Sequence, residues 1–132
     1  LRFWIIDGYN VLFGIGDLRR LTLKKASRGR EELISRVAEM CSRRNEQGII
    51  IFDGGGRPDF HFDRRIGPVR VYFSGSQHEA DDWIMKIAGK LFAKYPELTV
   101  VSSDGRIRGF VGQQGIWNMG LRKFGEEYLA KD

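Results

Sequence analysis

Four short apolar runs each lead toward an acidic residue, and that recurrence leaves few folds open to the chain. Phe3-Trp4-Ile5-Ile6 meets Asp7, and Ile49-Ile50-Ile51-Phe52 meets Asp53. Leu98-Thr99-Val100-Val101 passes through Ser102 and Ser103 to Asp104, and Val69-Arg70-Val71-Tyr72-Phe73 is followed by a polar loop and Asp81-Asp82. The runs read as buried strands. Parallel strands in an open α/β sheet share one carboxyl edge, where ligand crevices form, so the four acids are expected to converge there. Unpaired carboxylates packed together repel, and burying them calls for a cation. A hard divalent ion with oxygen ligands, Mg²⁺ or Mn²⁺, suits such a set.

The intervening segments support that sheet. From Ser27 to Gln47, residues Leu33, Ile34, Val37, Ala38, Met40 and Cys41 fall at three-and-four spacing, which predicts a helix closed by Gly48. A second helix is predicted from about Glu79 to Lys94, buried through Ala80, Ile84, Ile87, Ala88, Leu91 and Phe92 and stopped by Pro96. Asp81 and Asp82 then occupy its first turn, where the helix dipole favours negative charge by ~0.3–1 kcal/mol each. A short helix near Arg106 to Phe110, an extended piece at Ile116-Trp117 and a last helix from about Leu121 to Ala130 follow. The stretch after Asn10 reads as a mixed loop, and Gly54-Gly55-Gly56-Arg57-Pro58 opens a flexible loop reaching about Pro68. The class is α/β: a three-layer α/β/α sandwich around a mainly parallel sheet, one domain over residues 1–132.

Each acid alone has a plain structural use. Asp7 in Asp7-Gly8-Tyr9-Asn10 suits an Asx-type turn, with Gly8 permitting a tight bend and Asn10 reaching back with its amide. Asp53-Gly54 and Asp104-Gly105 are ordinary turn pairs, and helix capping accounts for one of Asp81 and Asp82. Four separate structural uses are jointly less probable than one shared acidic site. Such a site supports phosphodiester hydrolysis, with one or two divalent ions polarising the phosphoryl group. The triple glycine lacks dinucleotide-binding spacing, and no GxxxxGK[ST] loop occurs. His61 and His78 have neither zinc-site spacing nor a neighbouring nucleophile.

Composition narrows the partner. The formal net charge is +5, and a basic surface around an acidic pocket suits a polyanion. Arg19-Arg20, Lys24-Lys25, Arg28, Arg30, Arg57, Arg64, Arg65, Arg106 and Arg108 are candidates to line RNA near the carboxylate edge, although Arg30 could instead pair with an acid. Phe60 and Phe62 could stack on unpaired bases or anchor their loop; Trp83 and Trp117 read as packing residues. The single cysteine, Cys41, excludes an internal disulfide and reads as a small core residue. No apolar run approaches a membrane span and no signal-like segment opens the chain, so the expectation is a soluble, cytoplasmic protein without membrane partners.

Ile6-Asp7-Gly8-Tyr9-Asn10, Phe52-Asp53-Gly54, Glu79-Ala80-Asp81-Asp82-Trp83-Ile84 and Val101-Ser102-Ser103-Asp104 together resemble, in order and spacing, the YacP-like NYN domains of the PIN-like nuclease class. The resemblance implies a PIN-like fold and a metal-dependent endoribonuclease, with a family link to messenger-RNA cleavage on the ribosome. It implies that Asp7, Asp81 and Asp104 bind the metal with support from Asn10 and Asp53, and that Asp82 is a further ligand or lies behind one. Two features depart from the pattern: Glu79 replaces a small hydroxylated residue, and Gly115-Ile116-Trp117-Asn118-Met119-Gly120 lacks a basic-then-Ser pattern. The alternative is a non-catalytic RNA- or ribosome-binding module on the same fold. Oligomeric state, and RNA against DNA, are left open.

Overall fold

The structure, a computed structural model, describes residues 1–129. Six strands form one sheet: β1 (Phe3–Asp7), β2 (Gln47–Phe52), β3 (His61–Ile66), β4 (Val69–Phe73), β5 (Leu98–Val101) and β6 (Trp117–Met119). Their spatial order is β3-β4-β2-β1-β5-β6. Every neighbouring pair is parallel except β3 with β4. The helices are α1 (Gly8–Gly14), α2 (Gly16–Lys24), α3 (Ala26–Arg44), α4 (Ala80–Leu91), α5 (Gly105–Gln114) and the short α6 (Leu121–Lys123), which runs into a π-helical turn at Phe124–Tyr128.

Side-chain alternation along the strands divides the core into two layers. Trp4, Ile6, Ile50, Phe52, Val69 and Val71 face α1, α2, α3 and Phe124. Ile5, Ile49, Ile51 and Val100 face α4 and α5 through Ile84, Ala88, Ile107 and Val111. The three-layer sandwich with a mainly parallel sheet is therefore as expected, and β1, β2, β4 and β5 fall where the apolar runs place them. No helix among the described residues is long and apolar enough to cross a membrane.

Several elements differ from the sequence expectation. The supposed mixed loop after Asn10 is α1 and α2, two helices with no side-chain cap at either N-terminus. The supposed flexible loop to Pro68 contains β3, an edge strand whose residues are mostly exposed or half-buried, so no buried periodicity marks it. Gly54, Gly55 and Gly56 have φ of 82°, 103° and 77°, which glycine tolerates best, and they bend the chain into that hairpin. Helix α3 stops at Asn45, left-handed at φ 54°, while Gly48 is buried inside β2 against Trp4. The short helix expected at 106–110 extends to Gln114. The expected last helix becomes α6 plus the π turn, and its end at Ala130 lies outside the described residues.

Candidate functional site

The chain leaves β1 into α1 on one face of the sheet, and leaves neighbouring β5 into α5 on the other. This reversal opens a crevice beyond the carboxyl ends of the two strands. Asp7 ends β1, and Ser102-Ser103-Asp104 follows β5.

Asp7 shares the face of Ile5, on the α4 and α5 side, and is only 8% exposed. Ser102 Oγ donates to Asp7 Oδ2 at 2.8 Å and accepts from Asp104 N–H at 3.0 Å. Asp104 Oδ1 accepts from Ile107 N–H at 3.0 Å, capping α5. Asn10 clamps the same loop: its Nδ2 donates to Ser103 Oγ at 2.9 Å and its Oδ1 accepts from Ser103 N–H at 2.9 Å. Burial pushes the Asp7 carboxyl up from 3.8 to about 6. The Ser102 hydroxyl opposes the rise, and the charges of Asp53, Asp104 and Asp81 add to it. Asp7 thus feels the other three acids.

Asp53 is exposed, and its Oδ1 accepts from Ala80 N–H at 2.6 Å. It caps α4 from another element, while Glu79, at the N-cap position, makes no side-chain cap. Arg106 spans the next two acids, with Nη1 to Asp81 Oδ2 and Nη2 to Asp82 Oδ1 both at 3.0 Å. The sequence groups Asp7, Asp81 and Asp104 about one centre. Among the described residues, the three carboxylates whose oxygens lie within 4.8 Å of one another are Glu79, Asp81 and Asp82. Asp7 and Asp104 stay outside that trio, each held by a local partner: Ser102 for Asp7, the α5 N-terminus for Asp104. Glu79 is exposed, and Asp81's charge holds its carboxyl above the usual range. An all-carboxylate oxygen donor set, anionic and partly desolvated at Asp7, fits a hard divalent cation.

The arginines divide by position. Arg106 and Arg108 lie near the start of α5, at the carboxylate edge, and exposed Arg57 belongs to the Gly-rich turn. Arg30 donates to the Tyr9 hydroxyl at 2.7 Å, not to an acid. Arg64 pairs with Glu31 of α3. Arg64 and Arg65 belong to β3, opposite Val71 and Arg70, toward the amino end of β4 and away from the acids. Phe60 anchors its segment by stacking on Trp83 at 4.3 Å and on Tyr72 at 5.2 Å. Phe62 and Trp117 are each 50% exposed, so Trp117 is not the packing residue expected. Exposed His78 meets Trp83 edge-on, and half-buried His61 stacks on Phe73. Ser102 and Ser103 join the site without having stood among the expected residues, although the hydroxyl pair between β5 and Asp104 is the visible signal.

The YacP-like NYN domain family matches residues 4–131. An uncharacterized protein YacP of Bacillus subtilis (strain 168) is 28% identical over 128 residues, covering 96% of this chain and 72% of that protein. The crystal structure of Rae1 (YacP) from Bacillus subtilis superposes with a TM-score of 0.78 at 26% identity, over 97% of this chain and 74% of that one. T5 D15 protein, co-crystallized with metal ions, shares the fold at a TM-score of 0.55 and 16% identity, over 96% of this chain and 60% of that one. With nearly its whole length matched, the chain belongs to the YacP-like NYN domain family.

Proposed function

We propose that this domain is a metal-dependent endoribonuclease that hydrolyses phosphodiester bonds in single-stranded RNA, using Mg²⁺ or Mn²⁺ held by Asp7, Asp81 and Asp104 with Asp82 beside them. The carrying observation is Asp7, buried at the crevice between β1 and β5 and pushed up to about 6 by burial with three further acids near it. Family membership supports the nuclease reading and RNA as the polymer. When bound, a divalent ion supplies the positive charge that polarises a phosphoryl oxygen and makes water acidic enough to attack.

The chain's own residues prepare the site. Ser102 orients one oxygen of Asp7, and Asn10 fixes the loop carrying Ser103 and Asp104. Asp53 holds the first turn of α4, and with it Asp81 and Asp82. Arg106 serves as an internal counter-ion to those two acids and turns to a phosphate when RNA arrives. Arg30, Arg57 and Arg108 supply further positive charge for the backbone, with Arg64 and Arg65 farther along the sheet. Cytoplasmic location and a ribosome-presented messenger RNA are the narrower form of this reading.

The test is cleavage of single-stranded RNA, free and ribosome-bound, by wild type, Asp7→Asn and Asp104→Asn with Mn²⁺ or EDTA. Cleavage by wild type with Mn²⁺ alone is expected; equal activity in every arm would refute the assignment. The Arg106 bridge favours one second reading, a non-catalytic RNA-binding module whose acids are already neutralised. That module would bind RNA equally in EDTA and Mn²⁺ and leave it intact in both.

A further inference from the structure

The crossover from β4 to β5 carries α4 over β2 and β1, so it leaves part of the same face of β4 and β3 uncovered. A groove of about 830 Å³ lies there, away from the carboxylates. Its walls include Phe60, Tyr72 and Tyr95, and its cations are Arg65, Arg70 and Lys94. No Asp or Glu lines it among the described residues. Nor has any of the three cations a carboxylate of those residues within ion-pair distance.

Arg65 and Arg70 are direct cross-strand partners. Like charges placed opposite one another destabilise a sheet, and an anion lying between them removes that cost. The groove also connects to the acids. Trp83, next to Asp82 on α4, stacks on Phe60, which stacks on Tyr72 at the groove wall. From there β2 runs back from Ile51, the partner of Tyr72, to Gln47, about 14 Å at ~3.4 Å per residue, a length suited to a short stretch of polynucleotide.

We propose that this groove binds the single-stranded RNA flanking the scissile position, with Arg65, Arg70 and Lys94 on successive phosphates and bases against the aromatic wall. The proposal rests on the nuclease reading for its substrate. Unpaired strands offer both exposed bases and a flexible phosphate chain, and combined aromatic and cationic grooves recognise them. A duplex keeps its bases stacked inside. An acidic protein segment would match the charge but would not explain the aromatic continuity with the acids.

The test measures anisotropy of labelled oligoribonucleotides in EDTA, ~4 and ~16 nucleotides long, at several salt concentrations. It compares wild type with Arg65→Ala/Arg70→Ala/Lys94→Ala and with Arg43→Ala/Arg122→Ala/Lys123→Ala, which removes three charges from the opposite face. Thermal melts confirm that all three chains are folded. The groove variant alone should lose about 10-fold or more on the longer strand and little on the shorter one. Its salt dependence should be shallower by about 2 log units per log unit, from ~0.7 per lost phosphate contact. Unchanged affinity, or equal loss in both variants, would overturn the groove while Mn²⁺-dependent cleavage of the short strand still stood. Groove-dependent binding without cleavage by wild type of either free or ribosome-bound RNA would uphold the groove and sink the nuclease reading instead.

Discussion

Ser102 donates its hydroxyl hydrogen to Asp7 Oδ2 at 2.8 Å, joining the ends of β1 and β5 in a spot nearly closed to water. That bond lowers the Asp7 carboxyl, yet burial outweighs it and the group stands at about 6. The folded chain therefore holds this proton more tightly than the unfolded chain does. Asp7's contribution to stability is complete below 3.8 and is lost as pH rises through about 6. At ~1.4 kcal/mol per pH unit, the interval amounts to about 3 kcal/mol. Without divalent ions, Asp7→Asn should melt higher than wild type at pH 7.5, and the two should converge near pH 4. Added Mn²⁺ should raise the wild-type melting temperature and leave Asp7→Asn nearly unmoved. A variant less stable than wild type at pH 7.5 would contradict the strained carboxylate.

Arg106 is a competitor for any cation that Asp81 and Asp82 would hold. Its side chain is 61% exposed, so the ion pairs contribute little to folding. Arg106→Gln should leave the melting temperature of the metal-free protein close to that of wild type. Calorimetric Mn²⁺ affinity should rise roughly three- to fivefold, while RNA affinity falls. Unchanged Mn²⁺ affinity would remove Asp81 and Asp82 from the ligand set.

Asp53 separates a positioning role from ligation. Asp53→Ala removes the acceptor for Ala80 N–H and should cost about 1 kcal/mol. Asp53→Asn keeps an amide oxygen at the same place. Asn should therefore restore both thermal stability and the Mn²⁺-induced rise in melting temperature, because Asp81 and Asp82 ride on the turn being capped. Loss of the Mn²⁺ response in both variants would instead make Asp53 a direct ligand.

The parts of the fold legible in the sequence are those where burial leaves a pattern. β1, β2, β4 and β5 lie inside the sheet and read as apolar runs, and Cys41 falls in the α3 stripe, its thiol pushed up to about 12 mainly by burial. β3 carries His61, Asp63, Arg64 and Arg65 on an exposed edge, so no apolar run announces it. α1 and α2 lack side-chain caps, and glycines stand at their ends, Gly8 and Gly14 bounding α1 and Gly16 opening α2. The acids are legible because each follows a strand. Their partners are not: the bonds from Asp53 to Ala80 and from Asp81 to Arg106 depend on where α4 and α5 settle on the sheet, which no local pattern encodes. The open flank beside α4 likewise follows from the crossover, not from any motif.

Gly8 suggests a tight bend in the sequence, whereas the structure makes it the first residue of α1, pressed onto β2. A Cβ there would sit 2.3 Å from Phe52 Cδ1 and 2.9 Å from the Ile51 carbonyl oxygen. The first neighbour is a buried ring and the second is backbone, so neither yields cheaply. Gly8→Ala should destabilise the chain by about 1–3 kcal/mol, the usual cost of overpacking, and weaken the Mn²⁺ response by displacing adjoining Asp7. A Cβ added at Gly109 of α5 would meet nothing within 4 Å, so Gly109→Ala should instead stabilise by up to about 1 kcal/mol through helix propensity. Paired urea melts of the two variants measure both signs at once. A Gly8→Ala chain as stable as wild type would mean that α1 stands off β2 in solution, and the fixed placement of Asp7 at the start of α1 would go with it.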